Sequence, residues 1–260
     1  EYKSTGMNFY KIENLAVLVD EGAASASEII AGAIQDWDRG VLIGRRTFGK
    51  GLVQEQYRLR DGSAIRLTVA RYHTPSGRCI QKPYEGRDGY DDDMSERMET
   101  GELYDETKIE VLDTTKYFTK AGRVVYGGGG IIPDVFVPLD STLLDPFFIK
   151  LNKRVPAFVF RHLEHHRSDF DQQTVEDFSK NFSVKEDFAQ QFLDFALRQG
   201  EKRNDRRWRL VKNEIKRQIK ASIARNLWGD NGYYHVLNQE DASDIKALQL
   251  VKNDNPLSLK

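Results

Sequence analysis

The sequence is short of cysteine, of excess charge of either sign and of long apolar runs. A single cysteine, Cys79, in 260 residues excludes an intramolecular disulfide framework and any multi-cysteine zinc site. Lys and Arg number 39 against 40 Asp and Glu, a formal net charge of −1. No bulk basicity therefore points to nucleic acid, and no bulk acidity to a cation store. No apolar run approaches the ~18–20 residues of a membrane-spanning helix. The opening residues Glu-Tyr-Lys-Ser-Thr lack a signal peptide's charged start and apolar middle. With no initiator Met and a buried-looking strand within a dozen residues or so, the chain reads as a piece of a longer precursor.

What is present is a globular composition, 39% hydrophobic and 11% aromatic with 20 glycines, long enough for one large domain or two smaller ones. Leu15–Val19 is a continuous apolar run suited to a central strand covered on both faces. Ser25 to Trp37 reads as a helix with Ile29, Ile30, Ala33, Ile34 and Trp37 on one apolar stripe. Val41–Ile43 reads as the next strand, completing a βαβ unit. Leu52–Arg58 and Ala64–Tyr72 read as strands either side of the turn Asp61-Gly62. Residues 85–106 carry ten acids against Arg87 and Arg97, a local net of −8, and read as a solvated loop. After Pro138 helix signals dominate. Ser183-x-x-Glu186 has the form of a capping box opening a stripe of Val184, Phe188, Phe192 and Phe195. A second helix carries Trp208, Val211, Ile215, Ile219, Ile223 and Leu227 and ends at Gly229. The expected organisation is an α/β part over residues 1–140 and an all-helical region over 141–260.

Asp20-Glu-Gly-Ala-Ala-Ser-Ala-Ser-Glu-Ile29 takes a strand through small residues directly into a helix. Ser25 there is a candidate nucleophile, because free N–H groups and the positive dipole end of the helix stabilise a developing oxyanion. The plain alternative is that Ser25 is an N-cap, with Glu28 completing a capping box. Ser27 competes as nucleophile, but two helical positions turn it about 200° away. No histidine is well placed as a base. Lys50, bracketed by Gly49 and Gly51 beside Phe48, Leu52 and Val53, is a candidate: an amine removed from water favours its neutral form and can take a hydroxyl proton. Gln54 could hydrogen-bond that amine without adding charge. The plain alternative for Gly-Lys-Gly is a turn with a surface lysine.

Gly22-Ala-Ala-Ser-Ala-Ser-Glu-Ile-Ile-Ala-Gly-Ala33, followed by Gly44-x-x-Thr-Phe-Gly-Lys-Gly51 and Gln54, resembles the signature of the C-terminal processing, or tail-specific, serine peptidases. Arg71-Tyr-x-Thr-Pro-Ser-Gly77 and Gly129-Gly-Ile-x-Pro-Asp134 are similar to the family's motifs too, so the resemblance covers about residues 15–138. Ala23 stands where the family often has serine. The resemblance implies Ser25 as nucleophile, Lys50 as general base, Gln54 as its orienting partner and the Ala26 amide as oxyanion donor. It implies a partial crotonase-like core, an acyl-enzyme route with no metal or organic cofactor, and protein or peptide substrates cleaved at C-terminal or unstructured regions. It implies a periplasmic or cell-envelope location, and a PDZ domain and a further piece of the peptidase core upstream. A homodimer through the helical region is a further expectation. The runner-up reading is a non-catalytic regulatory binding module in which Ser25 only caps a helix.

Three other features carry less. His162 and His166, one helical turn apart, lack the His-Glu-x-x-His order of a zinc site. Gly127–Gly130 lacks a phosphate loop's ending. Residues 201–225, with ten bases against three acids and a local net of +7, read as a solvated or interdomain helix face rather than a nucleic-acid site.

Overall fold

The computed structural model describes residues 12–83 and 93–252. The chain forms two compact units, Glu1–Leu139 with Lys246–Lys260, and Asp140–Ile245. The expected helical region 141–260 is therefore not one unit. The residues from Lys246 return to the first because Leu250 packs on the apolar Val41, Ile43 and Val137.

In the first unit β1 (Ala16–Val19), β2 (Val41–Gly44) and β7 (Val135–Phe136) form a parallel sheet in the order β1-β2-β7. β1 and β2 pair with Ala16 opposite Val41 and Val19 opposite Gly44. A parallel pair needs a crossover, and α1 (Ala26–Asp36) provides it. All four residues of β2 are buried, and the period-2 alternation of a strand sorts them by face. Leu42 packs with Val19, Ala31, Ile80 and Ile131, whereas Val41 and Ile43 pack with Val137 and Leu250. Two antiparallel ribbons follow. β3 (Leu52–Arg58) pairs β4 (Ala64–Arg71) with an irregularity between Val53 and Gln54, and β5 (Asp113–Phe118) pairs β6 (Val124–Gly127).

α1 does not bury the stripe expected of it. Ile30 and Trp37 are 59% and 56% exposed, while Glu28, Ala31, Gly32, Gln35 and Asp36 face inward. The inward polar groups are satisfied, which makes their burial tolerable. Gln35 donates to the Ile132 carbonyl and to Asp134, and Asp36 pairs with Arg78 at 2.8 Å. The acidic stretch also departs from expectation. Residues 84–92 lie outside the described part, but α2 (Asp93–Thr100) is a helix, and Arg97, Glu102 and Leu103 are buried. Within the helix Glu96 and Glu99 stay exposed while Asp93 pairs with Arg97, so charge count alone hides the helix.

The second unit is built from α3 (Pro146–Asn152), α4 (Val155–His166), α5 (Val175–Asn181), α6 (Glu186–Arg198) and α7 (Asp205–Leu237). α8 (Ala242–Val251) begins in it and ends in the first. α6 starts at Glu186 after Lys185, so Ser183 is not its cap; buried Val184 anchors the preceding turn instead. α7 breaks at Gly229, whose φ of 71° and ψ of −161° only glycine adopts without strain. Phe158 contacts Phe188, Phe192 and Phe195 with ring centroids 5.1 to 5.6 Å apart. The bases of α7 are partly neutralised within the unit, Lys212 and Lys216 both reaching Glu186. The His162 and His166 rings stack at 4.5 Å.

Candidate active site

The turn leading into α1 is tied by Asp20, whose Oδ1 accepts the N–H groups of Gly22 and Ala23, both at 3.0 Å. Ser25 follows with φ 57° and ψ −118°. An ordinary N-cap takes the extended region, and a positive φ in a residue with a Cβ is strained and concentrates at functional positions. Ser25 and Ala26 are both exposed. Ala26 is the first residue of α1, where main-chain N–H groups have no acceptor inside the helix.

Facing this turn is the loop Arg46–Gly51. Its Phe48 N–H donates to the Ala23 carbonyl at 2.9 Å, and Thr47 N–H to Ile131 at 3.0 Å. Gly49 has φ +90°, and a Cβ there would stand 3.0 Å from the Gly130 nitrogen, so the tight packing of this loop on the Gly127–Gly130 segment requires glycine.

Fully buried Glu28 joins the two segments. Its Oε2 accepts Ser25 N–H at 3.0 Å and Lys50 N–H at 2.8 Å. Its Oε1 accepts Gly49 N–H at 2.7 Å and the Thr47 hydroxyl. Atoms sharing one acceptor lie within the sum of their distances to it, so the Ser25 and Lys50 main-chain nitrogens are no more than about 6 Å apart. Glu28 makes the expected capping-box contact with the Ser25 N–H, and its hold on Thr47, Gly49 and Lys50 goes beyond that expectation. Its position on the inward side of α1, away from the apolar stripe, was the available signal.

The side chains depart from expectation at two positions. Lys50 is exposed, not enclosed by apolar neighbours. Phe48 lies under the Lys82 ammonium, 4.1 Å from its ring centroid, and Val53 stands 41% exposed on a ribbon whose strands are open to solvent. Gln54, next to the ribbon's irregularity, is also exposed, and its amide nitrogen lies 3.5 Å from Thr68 Oγ1 across the ribbon.

Residues 2–95 match the model of peptidase family S41. A chloroplastic C-terminal processing peptidase of Tetradesmus obliquus is 51% identical over 81 residues, 31% of this chain and 18% of that protein. A carboxyl-terminal-processing protease of Synechocystis is 56% identical over 68 residues, 26% of this chain and 16% of that protein. The likeness to peptidase family S41 thus lies in the part of the chain that carries Ser25 and Lys50.

A solved photosystem II D1 C-terminal processing protease is similar to this S41 segment at 56% identity, covering 25% of this chain and 17% of that one, at a TM-score of 0.25. The chain thus spans less than a fifth of the length of these S41 relatives. Residues 150–229, beyond the S41 match, fit a family of unknown function. The motif ending at Asp134 lies beyond the S41 match but within the same compact unit. Asp134 Oδ2 accepts Leu42 N–H at 2.9 Å in the central strand, and its Oδ1 receives Gln35 and Arg123. The Gly129 carbonyl receives Arg46 at 2.6 Å, so the motif braces the loop that carries Lys50.

Proposed function

We propose that this chain supplies the nucleophile and base of a serine endopeptidase that cuts C-terminal or unstructured regions of proteins. The carrying observation is the junction at Glu28, which ties the strained Ser25 turn and the Lys50 loop through their main-chain amides. In this reading the Lys50 amine takes the Ser25 hydroxyl proton as Oγ attacks the scissile carbonyl. The Ala26 N–H at the start of α1 donates to the oxyanion, the ammonium so formed on Lys50 protonates the leaving nitrogen as the C–N bond breaks, and an acyl-enzyme remains. Lys50 then activates the water that releases the acid.

A working base must be shielded from water, and Lys50 is exposed. The shield belongs to bound substrate and to the remainder of a crotonase-like peptidase core, with Gln54 turning from Thr68 toward the amine on closure. An upstream PDZ domain is part of the proposal, and the periplasmic or envelope location proposed with it is supported by relatives that include bacterial and chloroplastic processing proteases. The φ of 57° at Ser25 favours it over the module in which Ser25 only caps α1, since a cap needs no such strain.

The test is fluorophosphonate labelling of the complete protein together with cleavage of an unstructured peptide. Ser25→Ala removes labelling and cleavage, and Lys50→Ala removes cleavage, with the melting temperature retained. Cleavage persisting in either variant rejects the dyad.

A further inference from the structure

The amides of the Lys50 loop are held by Glu28, and its carbonyls are held from another side by one guanidinium. Arg97, 2% exposed, sits on α2 within the acidic stretch. Its Nη1 donates to the carbonyls of Arg46 and Thr47, both at 3.1 Å. Its Nη2 donates to Thr47 at 3.1 Å and Phe48 at 3.4 Å. Three consecutive carbonyls therefore converge on a single side chain. Its Nε faces Asp93 Oδ2, one turn earlier on α2, at 3.0 Å. Asp93 Oδ2 also meets the Lys82 ammonium at 3.2 Å, and that ammonium lies over the Phe48 ring. Glu102 pairs with Arg46 and lies 3.9 Å from Arg97 Nε.

The signs agree throughout. The loop's N–H ends meet a carboxylate and its C=O ends a guanidinium, charge-assisted bonds in a buried setting that are roughly twice as strong as neutral ones. A loop with glycine at 49 and 51 is otherwise soft. The position of the Lys50 Cα determines the arc its amine can sweep, and a displacement of about 1 Å at a reacting group costs on the order of 100-fold in rate.

We propose that Arg97 is a positioning residue for Lys50: by gathering the carbonyls of Arg46, Thr47 and Phe48 it holds the base-bearing loop in register with the Ser25 turn. Four bonds to main chain set it apart from an ordinary surface arginine. The inference rests on the serine–lysine reading above.

The experiment uses the complete protein as wild type, Ser25→Ala, Arg97→Gln, Arg97→Lys and Asp93→Asn. Fluorophosphonate labelling, peptide turnover against pH, and amide hydrogen exchange over residues 46–51 are measured. Expected for Arg97→Gln is a 10- to 100-fold loss of kcat with KM within about twofold, faster exchange confined to 46–51, and a displaced limb of the pH–kcat profile. Arg97→Lys, which keeps the charge and donors but not the fork, loses less. Asp93→Asn, which loosens the guanidinium without removing it, loses less again and keeps the test open if Arg97→Gln does not fold. Wild-type kcat and exchange in Arg97→Gln overturn the inference, as do wild-type values in Asp93→Asn should Arg97→Gln fail to fold. A uniform rise in exchange across the first unit with an unchanged pH profile overturns it too, since that is ordinary destabilisation. Absence of labelling in wild type, or labelling that survives Ser25→Ala, rejects the dyad itself and is thereby distinguished.

Discussion

Glu28 and Lys50 meet through main chain: Glu28 Oε2 accepts the Lys50 N–H at 2.8 Å while the lysine side chain is exposed. The carboxylate acts on where the lysine begins rather than on its ammonium. Glu28→Gln keeps the shape but replaces one acceptor oxygen with a donor NH2 group, facing donors from Ser25, Thr47, Gly49 and Lys50. At least one buried donor then loses its acceptor, at about 1–3 kcal/mol. A melting temperature lowered accordingly and peptide turnover in the complete protein down ~100-fold are expected; wild-type turnover would show that the junction does not govern the site.

The backbone of Ser25 makes a separate prediction. Strain at φ 57° and ψ −118° falls on any residue with a Cβ, at about 1–3 kcal/mol, and glycine escapes it. Ser25→Gly is therefore expected to be more stable than Ser25→Ala, by about 1 kcal/mol after glycine's larger unfolded-state entropy is counted. Neither variant labels with fluorophosphonate. Urea unfolding of the two side by side is the measurement, and an alanine variant as stable as the glycine variant contradicts the strain.

Asp36 and Arg78 form a buried pair at 2.8 Å. Burial pulls the Arg78 guanidinium below its ordinary range, with Asp36 opposing. The guanidinium also donates to Gln35 at 2.7 Å and to the Tyr126 carbonyl at 2.9 Å. Removing Asp36 leaves a buried cation short of its counter-charge, a loss of about 3–5 kcal/mol. Asp36→Ala is expected to lower the unfolding free energy of the first unit, read from urea titration, by that amount. A loss under 1 kcal/mol would mean that the site rehydrates.

In the helical unit, burial first and the stacked His166 second hold the His162 imidazole below its ordinary range. The unfolded chain therefore takes a proton there more readily than the folded one, so stability is lost as pH falls through the unfolded value of about 6.5. The melting temperature is expected to drop between pH 7.5 and pH 5, and less so in His162→Gln. An identical slope in the variant assigns the effect elsewhere.

The legible parts were those whose signal is local. Leu15–Val19 and Val41–Ile43 read as buried strands because both faces of a parallel sheet demand apolar side chains. Asp61-Gly62 read as a turn because few residues other than glycine take the φ of +87° found at Gly62. The apolar stripe of α1 misled, because three inward polar residues are satisfied by partners about 20 to 100 positions away. α2 was hidden by its acids. Sequence proximity to Phe48 suggests an enclosed Lys50, yet Phe48 lies beneath Lys82.

From the order of residues alone came the strands, the βαβ connection, and the motifs in which Ser25 and Lys50 stand 25 positions apart, since periodicity and short-range turn chemistry are properties of neighbours. Only the tertiary structure decided that Glu28 reaches the amides of both segments and that Arg97 reaches three carbonyls about 50 positions before it. A hydrogen bond is selected by which donors and acceptors end up within about 3 Å after burial, and sequence distance does not set that.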